Sequence, residues 1–339
     1  MVEATDSGYG SDRNGLVWGY QFSPGQPARD IDALQSAAFL SQPPESAEAG
    51  FLWLHFSLAN AATERWLRGN LRLPELFFES LHDDAASTRI EQEDSALVAL
   101  IHDVRLDGSF DASGVSTVSL SLGPRVLVSA RLRPLRSVDR LRAAIKGGQA
   151  FASSAELLSQ LLRDQADVLA DIVRRASVQV DGIEDKLLEQ RVSAGRRDLG
   201  TLRRMLVRLQ RLLAPEPAAL FRLLSKPPGW LVEQDLQDMR QAAEEFSAAI
   251  ADSASLAERV KLLQEEFAAL TNEQTSRTLF VLTMVTVLAL PINMVAGLFG
   301  MNVGGIPFSQ HPHGFIVIVS LLALMTGYLA YLTLVRRRD

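Results

Sequence analysis

The stretch 278-TLFVLTMVTVLALPINMVAGLF-299 decides the architecture. It contains no Asp, Glu, Lys or Arg, and at roughly 22 residues it exceeds the ~20 needed to cross ~30 Å of hydrocarbon. A second stretch, 314-GFIVIVSLLALMTGYLAYLTLV-335, is equally free of charge. Two adjacent uncharged spans at one end of a chain read as a transmembrane pair rather than as core helices of a soluble domain. Average composition hides this segregation. The 339 residues are 47% hydrophobic and 22% charged with a formal net charge of −6, yet almost all the charge lies ahead of Thr278.

Lys and Arg placement orients the spans. Arg277 precedes the first, Arg336, Arg337 and Arg338 follow the second, and the connecting loop 300–313 has neither residue type. Both termini are therefore expected in the cytoplasm, with 336–339 a basic tail and the loop periplasmic. Residues 1–14 lack a basic segment followed by an apolar one, so they read as a flexible leader and not as a signal peptide. Cysteine is absent, which excludes disulfides, a thiol nucleophile and thiolate metal sites.

Working back toward the N-terminus, residues 15–152 read as an α/β cytoplasmic domain. Apolar, β-branched runs predict strands at 16–22, 51–58, 88–93, 96–105, 115–122 and 125–132, with short helices at 61–71 and 74–82. Sequential strands separated by turns such as Gly123-Pro124 imply a largely antiparallel or mixed sheet with helices packed on it. Residues 153–231 read as a helical region. Its apolar residues recur at steps of three, four and seven, Ser153 and Glu156 fit a capping box, and an arginine-rich helix is expected over 199–213. Pro215, Pro217, Pro227 and Pro228 then punctuate the chain. No proline follows Gly229 until Pro291. One helix is therefore predicted over 232–299, a stalk (232–277) continuing into the first span (278–299), on the order of 100 Å long at ~1.5 Å per residue. A helix that long needs partners for its apolar face, either earlier helices or copies of itself.

The first span is not uniformly apolar. Ser276, Thr283, Thr286, Asn293 and Gly297 recur at steps that keep them on one face. Such a stripe must meet protein or water. It either lines a pore or packs helix against helix. On the stalk, Asp238, Glu245, Asp252, Glu266 and Glu273 share a heptad stripe interrupted by Arg259. This is either a solvated face or, repeated about an axis, a set of rings that gathers cations, with Glu266 and Glu273 at the inner mouth. His55, His82 and His102 read as ordinary residues of the soluble domain. His311 and His313, flanking Pro312, are candidate zinc ligands or plain loop residues.

The loop opens with Gly300-Met301-Asn302 directly after Leu298-Phe299, and a second span follows it. In that context the string LPINMVAGLFGMNVGGIP resembles the CorA family of divalent metal ion transporters, and within it the ZntB-type branch. The resemblance covers nearly the whole chain: soluble α/β domain, long stalk helix, two C-terminal transmembrane helices and basic tail. It implies a funnel-shaped homopentamer in the bacterial inner membrane, with the first span (278–299) lining the pore. It also implies a selectivity filter of Gly300, Met301 and Asn302, in which Asn302 offers its amide oxygen to a hydrated cation and Gly300 permits the turn. A ring of amide oxygens can hold a hydration shell without trapping the ion. Magnesium-type members carry an acidic residue soon after the motif, whereas loop 300–313 has no Asp or Glu. That departure agrees with the ZntB-type branch and weakens a magnesium assignment, and the resemblance to that branch implies Zn2+ and proton coupling. The expected function is proton-coupled Zn2+ uptake. The alternatives are a Mg2+, Co2+ or Ni2+ channel of the same family, zinc efflux, and a membrane-anchored signalling scaffold. The expected partners are further copies of the chain, membrane lipid, divalent metal ions and protons, with no nucleic acid and no resident cofactor. No nucleophile–base set, zinc-protease motif, phosphate loop or dinucleotide fingerprint points to an enzyme.

Overall fold

The computed structural model describes residues 10–41, 50–82, 88–106, 114–188, 195–301 and 312–335. The chain divides into two compact units, Met1–Gln264 and Glu265–Asp339.

The first unit is built on a seven-stranded sheet ordered β2-β1-β3-β7-β6-β5-β4. Its strands are β1 (Leu16–Phe22), β2 (Arg29–Asp30), β3 (Phe51–Ser57), β4 (Arg89–Glu93), β5 (Ala96–Val104), β6 (Val115–Leu122) and β7 (Val126–Arg131). All neighbouring pairs are antiparallel except β3 with β7, which run parallel from Leu52↔Val126 to Ser57↔Arg131. The sheet is therefore mixed, as the strand pattern predicts. β3 lies inside the sheet and both its faces are covered, so it reads as a continuous apolar run, FLWLHFS, rather than an alternating one. Phe51 and Trp53 enter one core and Leu52, Leu54 and Phe56 the other.

Helices α1 (Ala33–Ser41), α2 (Thr63–Asn70) and α3 (Glu75–Ser80) contribute to the core on the Leu52 side. On the Trp53 side the core draws on α4 (Arg136–Lys146), α5 (Ser154–Leu188), α7 (Pro215–Leu224) and the first turns of α8 (Glu233–Phe299). Between α5 and α7 runs α6 (Gly195–Leu213), which turns Leu199, Leu202, Leu206 and Leu209 inward. The capping box at the start of α5 forms. Ser153 Oγ accepts from the Glu156 N–H at 2.9 Å, and Glu156 Oε2 accepts from the Ala152 N–H at 2.6 Å, one residue earlier than in the strict motif.

Four elements carry no strong local signal. β2 is a two-residue exposed edge. α1 has little amphipathic character, and only Ala33 and Ser36 on it are buried. α4 lacks a capping side chain at Leu135. Asp103 of β5 replaces it, accepting from Ser137 N–H at 3.0 Å and Ser137 Oγ–H at 2.6 Å. α7 begins on Pro215, a residue read above as a break. At a first helical position the missing N–H costs no bond, so proline starts this helix instead of ending one.

α8 is one helix of 67 residues with Pro291 inside it, as the proline-free run predicts. The part from Glu265 onward belongs to the second unit, together with α9 (Gly314–Val335).

Candidate functional site

Both α8 and α9 are long and apolar enough to cross a membrane. The chain covers almost none of that apolar surface itself. The most apolar window of α8 is 0% buried and that of α9 only 6%. An apolar helix so bare requires lipid or further copies around it.

α8 still has two distinguishable faces here. Phe280, Met284, Leu288, Pro291 and Val295 are half-buried and recur at steps of four, four, three and four, and the small Ala289 is half-buried off that stripe. On α9, Ile318, Leu322, Thr326 and Leu329 form a similar half-buried stripe. Ser276, Thr283, Thr286, Asn293 and Gly297 are all exposed. At 3.6 residues per turn they lie about 130° round α8 from its half-buried stripe. The polar residues are thus absent from the side that packs within the unit.

The threonine hydroxyls have a defined polarity. Thr283 Oγ1 donates to the Leu279 carbonyl at 2.8 Å and Thr286 Oγ1 to that of Leu282 at 2.9 Å. Each hydroxyl proton is committed to the helix, so the oxygen presents lone pairs outward. Asn293 adds an amide that both donates and accepts. Pro291 has no N–H, so the carbonyl of Val287 lacks its usual donor four residues on. That carbonyl is a further acceptor at the level of the stripe.

At the end of α8, the Gly300 N–H donates to the Ala296 carbonyl at 2.9 Å. Gly300 is not in the left-handed region that would demand glycine. A Cβ there would sit 3.1 Å from the Ala296 oxygen, a tight approach to backbone that glycine avoids. Met301 is exposed. Asn302 and His311 lie outside the described residues. His313 is exposed, and its carbonyl accepts from the Val317 N–H at 3.2 Å at the start of α9. Among the described residues no group of three His, Asp or Glu is placed to hold a metal ion.

Glu266 and Glu273 are exposed, as are Glu245 and Asp252. Asp238 differs: it lies 3.5 Å from Arg163 of α5. Arg259, the interruption in the acidic stripe, pairs with Asp181 at 2.7 Å and also with Glu184. Two positions of that stripe thus tie α8 to α5 within the chain.

The family model for the CorA-like Mg2+ transporter protein matches residues 48–337. The chain belongs to the CorA family. Its members are transporters or channels and not enzymes, and this chain is a divalent cation transporter of the CorA family. It is 28% identical over 316 residues to the divalent cation transporter CmaX of Pseudomonas aeruginosa, with 93% of each chain covered. To the zinc transport protein ZntB of Pectobacterium atrosepticum it is 23% identical, with 82% of this chain and 85% of that one covered. Among solved structures, full-length CmaX superposes with a TM-score of 0.80 at 25% identity, covering 95% of this chain and 99% of the other. The complete CorA magnesium transporter of Methanocaldococcus jannaschii superposes with a TM-score of 0.75 at 17% identity, covering 93% and 96%. The soluble α/β domain, long helix and two candidate membrane helices are therefore the CorA arrangement, of which the Gly-Met-Asn string gave the clue in sequence.

Proposed function

We propose that this CorA-family chain carries Zn2+ inward across the bacterial inner membrane by proton-coupled transport, through the central pore of a homopentamer whose termini lie in the cytoplasm. The observation that carries the reading is the polar face of α8: Ser276, Thr283, Thr286, Asn293 and Gly297 are exposed and lie away from the half-buried face. Copies of α8 around an axis would bring these faces together and cover the apolar flanks. The outward lone pairs of Thr283 and Thr286 and the amide of Asn293 then offer oxygen to a hydrated cation. Gly300, Met301 and Asn302 form the filter at the outer mouth in this reading, and Glu266 and Glu273 gather cations at the inner one. A doubly charged ion moving inward gains roughly twice 2.3 kcal/mol per 100 mV, so uptake needs no ATP. The acid-free loop 300–313 and the likeness to ZntB support zinc.

A second reading, a Mg2+, Co2+ or Ni2+ channel, is favoured by the family description and by the likeness to CmaX. Flux in proteoliposomes separates the two. Zn2+ flux that follows an imposed pH gradient and collapses in Asn302→Ala is the expected result. Mg2+ flux driven by voltage alone would replace the first reading with the second. Export of Zn2+ under the same gradient would reverse the direction.

A further inference from the structure

One cluster in the soluble domain is left unexplained by transport. Glu216, in the first turn of α7, is 0% exposed. The side-chain amide of Gln165 on α5 and the backbone of His102 on β5 lie near enough to favour its charged form, which burial outweighs, but neither carboxyl oxygen has a hydrogen bond of ordinary distance and angle. Gln165 is 3% exposed. Its Nε2 donates to the His102 carbonyl at 2.7 Å, while its Oε1 has no donor. Next to it on α5, Asp164 is 7% exposed and its Oδ2 also lacks a donor, although Oδ1 accepts from Gln160 at 3.1 Å. Glu216 and Gln165 thus bring three buried oxygens, all acceptors, to the place where β5, α5 and α7 meet, while Asp164 answers to Gln160, Arg140 and Asp167 instead.

The charges around them do not help. From β5, Asp103 repels Glu216, and its own oxygens are committed to Ser137 and Val104. His102 is held neutral by burial and meets Thr88 at 3.1 Å. From α4, Arg140 reaches toward Asp164 but is shared with Asp167 and Asp171. From β4, Arg89 pairs with Glu91, and Glu93 accepts from the Leu76 N–H. Arg208 and Arg211 of α6 and Arg222 of α7 are exposed. The charge that acts on Glu216 is the like charge of Asp103, and burial holds its carboxyl well above the ordinary range. Burial likewise raises Asp103 and Asp164, each to about 6.

An ionised carboxylate only accepts, whereas a protonated one also donates. One proton on Glu216 supplies the missing donor and removes a buried charge that Asp103 repels. We propose that Glu216, with Gln165, is a proton-operated latch that holds α7 against β4 and β5 when protonated and releases it when the carboxyl ionises. α7 joins α6 to α8, and Trp230, in the connection to α8, donates to the Ser95 carbonyl at 2.7 Å in the β4–β5 turn. Release of α7 would therefore loosen the entry into α8. The ligand is the proton, and the device makes the soluble domain a sensor of the pH around it.

Hydrogen exchange by mass spectrometry on the full-length protein in detergent tests this, with rates corrected for intrinsic pH dependence. The opening constant of peptides covering 215–224 and 89–104 is expected to rise by up to about tenfold per pH unit between pH 5 and the point where the latch ionises. In Glu216→Gln, where the amide supplies a donor and cannot ionise, that rise is expected to vanish. In Glu216→Leu, which cannot ionise either, it should vanish as well, which keeps the test available if the first variant folds poorly. A flat wild-type profile would overturn the latch, as would an unchanged rise in Glu216→Gln. Protection regained at pH 8 on adding MgCl2 or ZnCl2 would overturn it in favour of a cation as occupant. The readout is independent of ion flux, so it stands or falls apart from the transport reading.

Discussion

Ser129→Ala is expected to destabilise the soluble domain far beyond the loss of one hydroxyl. Ser129 is 1% exposed on β7, and its oxygen serves two donors. Trp53 Nε1 donates to it at 2.8 Å. His55 Nδ1 lies 2.7 Å away, and because Arg131 Nε donates to His55 Nε2 at 3.0 Å, the imidazole proton sits on Nδ1 and points at Ser129. Trp53 and His55 are 1% and 0% exposed, and Trp18 stacks on the imidazole with ring centroids 4.2 Å apart, so no water replaces the lost oxygen. An orphaned buried donor costs about 1–3 kcal/mol, so two cost roughly 2–6 kcal/mol. At ~2–4 °C per kcal/mol for a domain of this size, Tm should fall by about 5–20 °C. Thermal melting of the full-length protein in detergent, followed by tryptophan fluorescence, reads this directly because Trp18 and Trp53 sit in the cluster. Trp53→Phe removes one of the two donors. It should therefore cost ~1–3 kcal/mol less in the Ser129→Ala background than in wild type. A Tm for Ser129→Ala within ~2 °C of wild type, or strict additivity in the cycle, would refute the relay.

Four further outcomes follow. Gly15 has φ +88, and a Cβ there would lie 1.8 Å from Thr63 Oγ1, so Gly15→Ala should lose at least ~2 kcal/mol from backbone strain and the displaced Thr63 together, seen as a lowered Tm. Asp164 titrates at about 6 against an ordinary 3.8, so its stabilisation is complete below pH ~4 and lost as pH rises toward 6. That loss amounts to roughly 3 kcal/mol, and the Tm-versus-pH curve of Asp164→Asn should be flatter across this window. His55 runs the other way: burial and Arg131 hold it well below 6.5, so its stabilisation is lost as pH falls below that value, and acid unfolding should set in on that side. Finally, Asn293→Leu and Thr286→Val should each lower metal flux by roughly tenfold, the equivalent of ~1.4 kcal/mol, while Tm stays within ~2 °C. Unchanged flux would remove the α8 stripe from the ion path.

The strands at 16–22, 51–58 and 96–105, the long helix over 232–299 and the polar face of its second half were legible without coordinates. Each rests on a local property: side-chain periodicity, the absence of proline, or a run without charge long enough to span lipid. The Gly-Met-Asn string added the family. Other features were decided only by tertiary structure. His55 looks ordinary in sequence, and its role comes from Ser129 and Arg131, 74 and 76 residues away. Asp238 reads as one member of an acidic stripe until Arg163 of α5 reaches it. The start of α4 is capped by a carboxylate from β5, 34 residues earlier. Glu216 stands between two prolines in what reads as a break. The fold makes that break a helix and presses the carboxyl against β5, next to Gln165. Local periodicity determines which segments are strands, helices and spans, because the backbone rule acts over a few residues. Which polar groups lose their water, and which partner replaces it, depends on packing between segments tens to more than a hundred residues apart, and no local pattern encodes that.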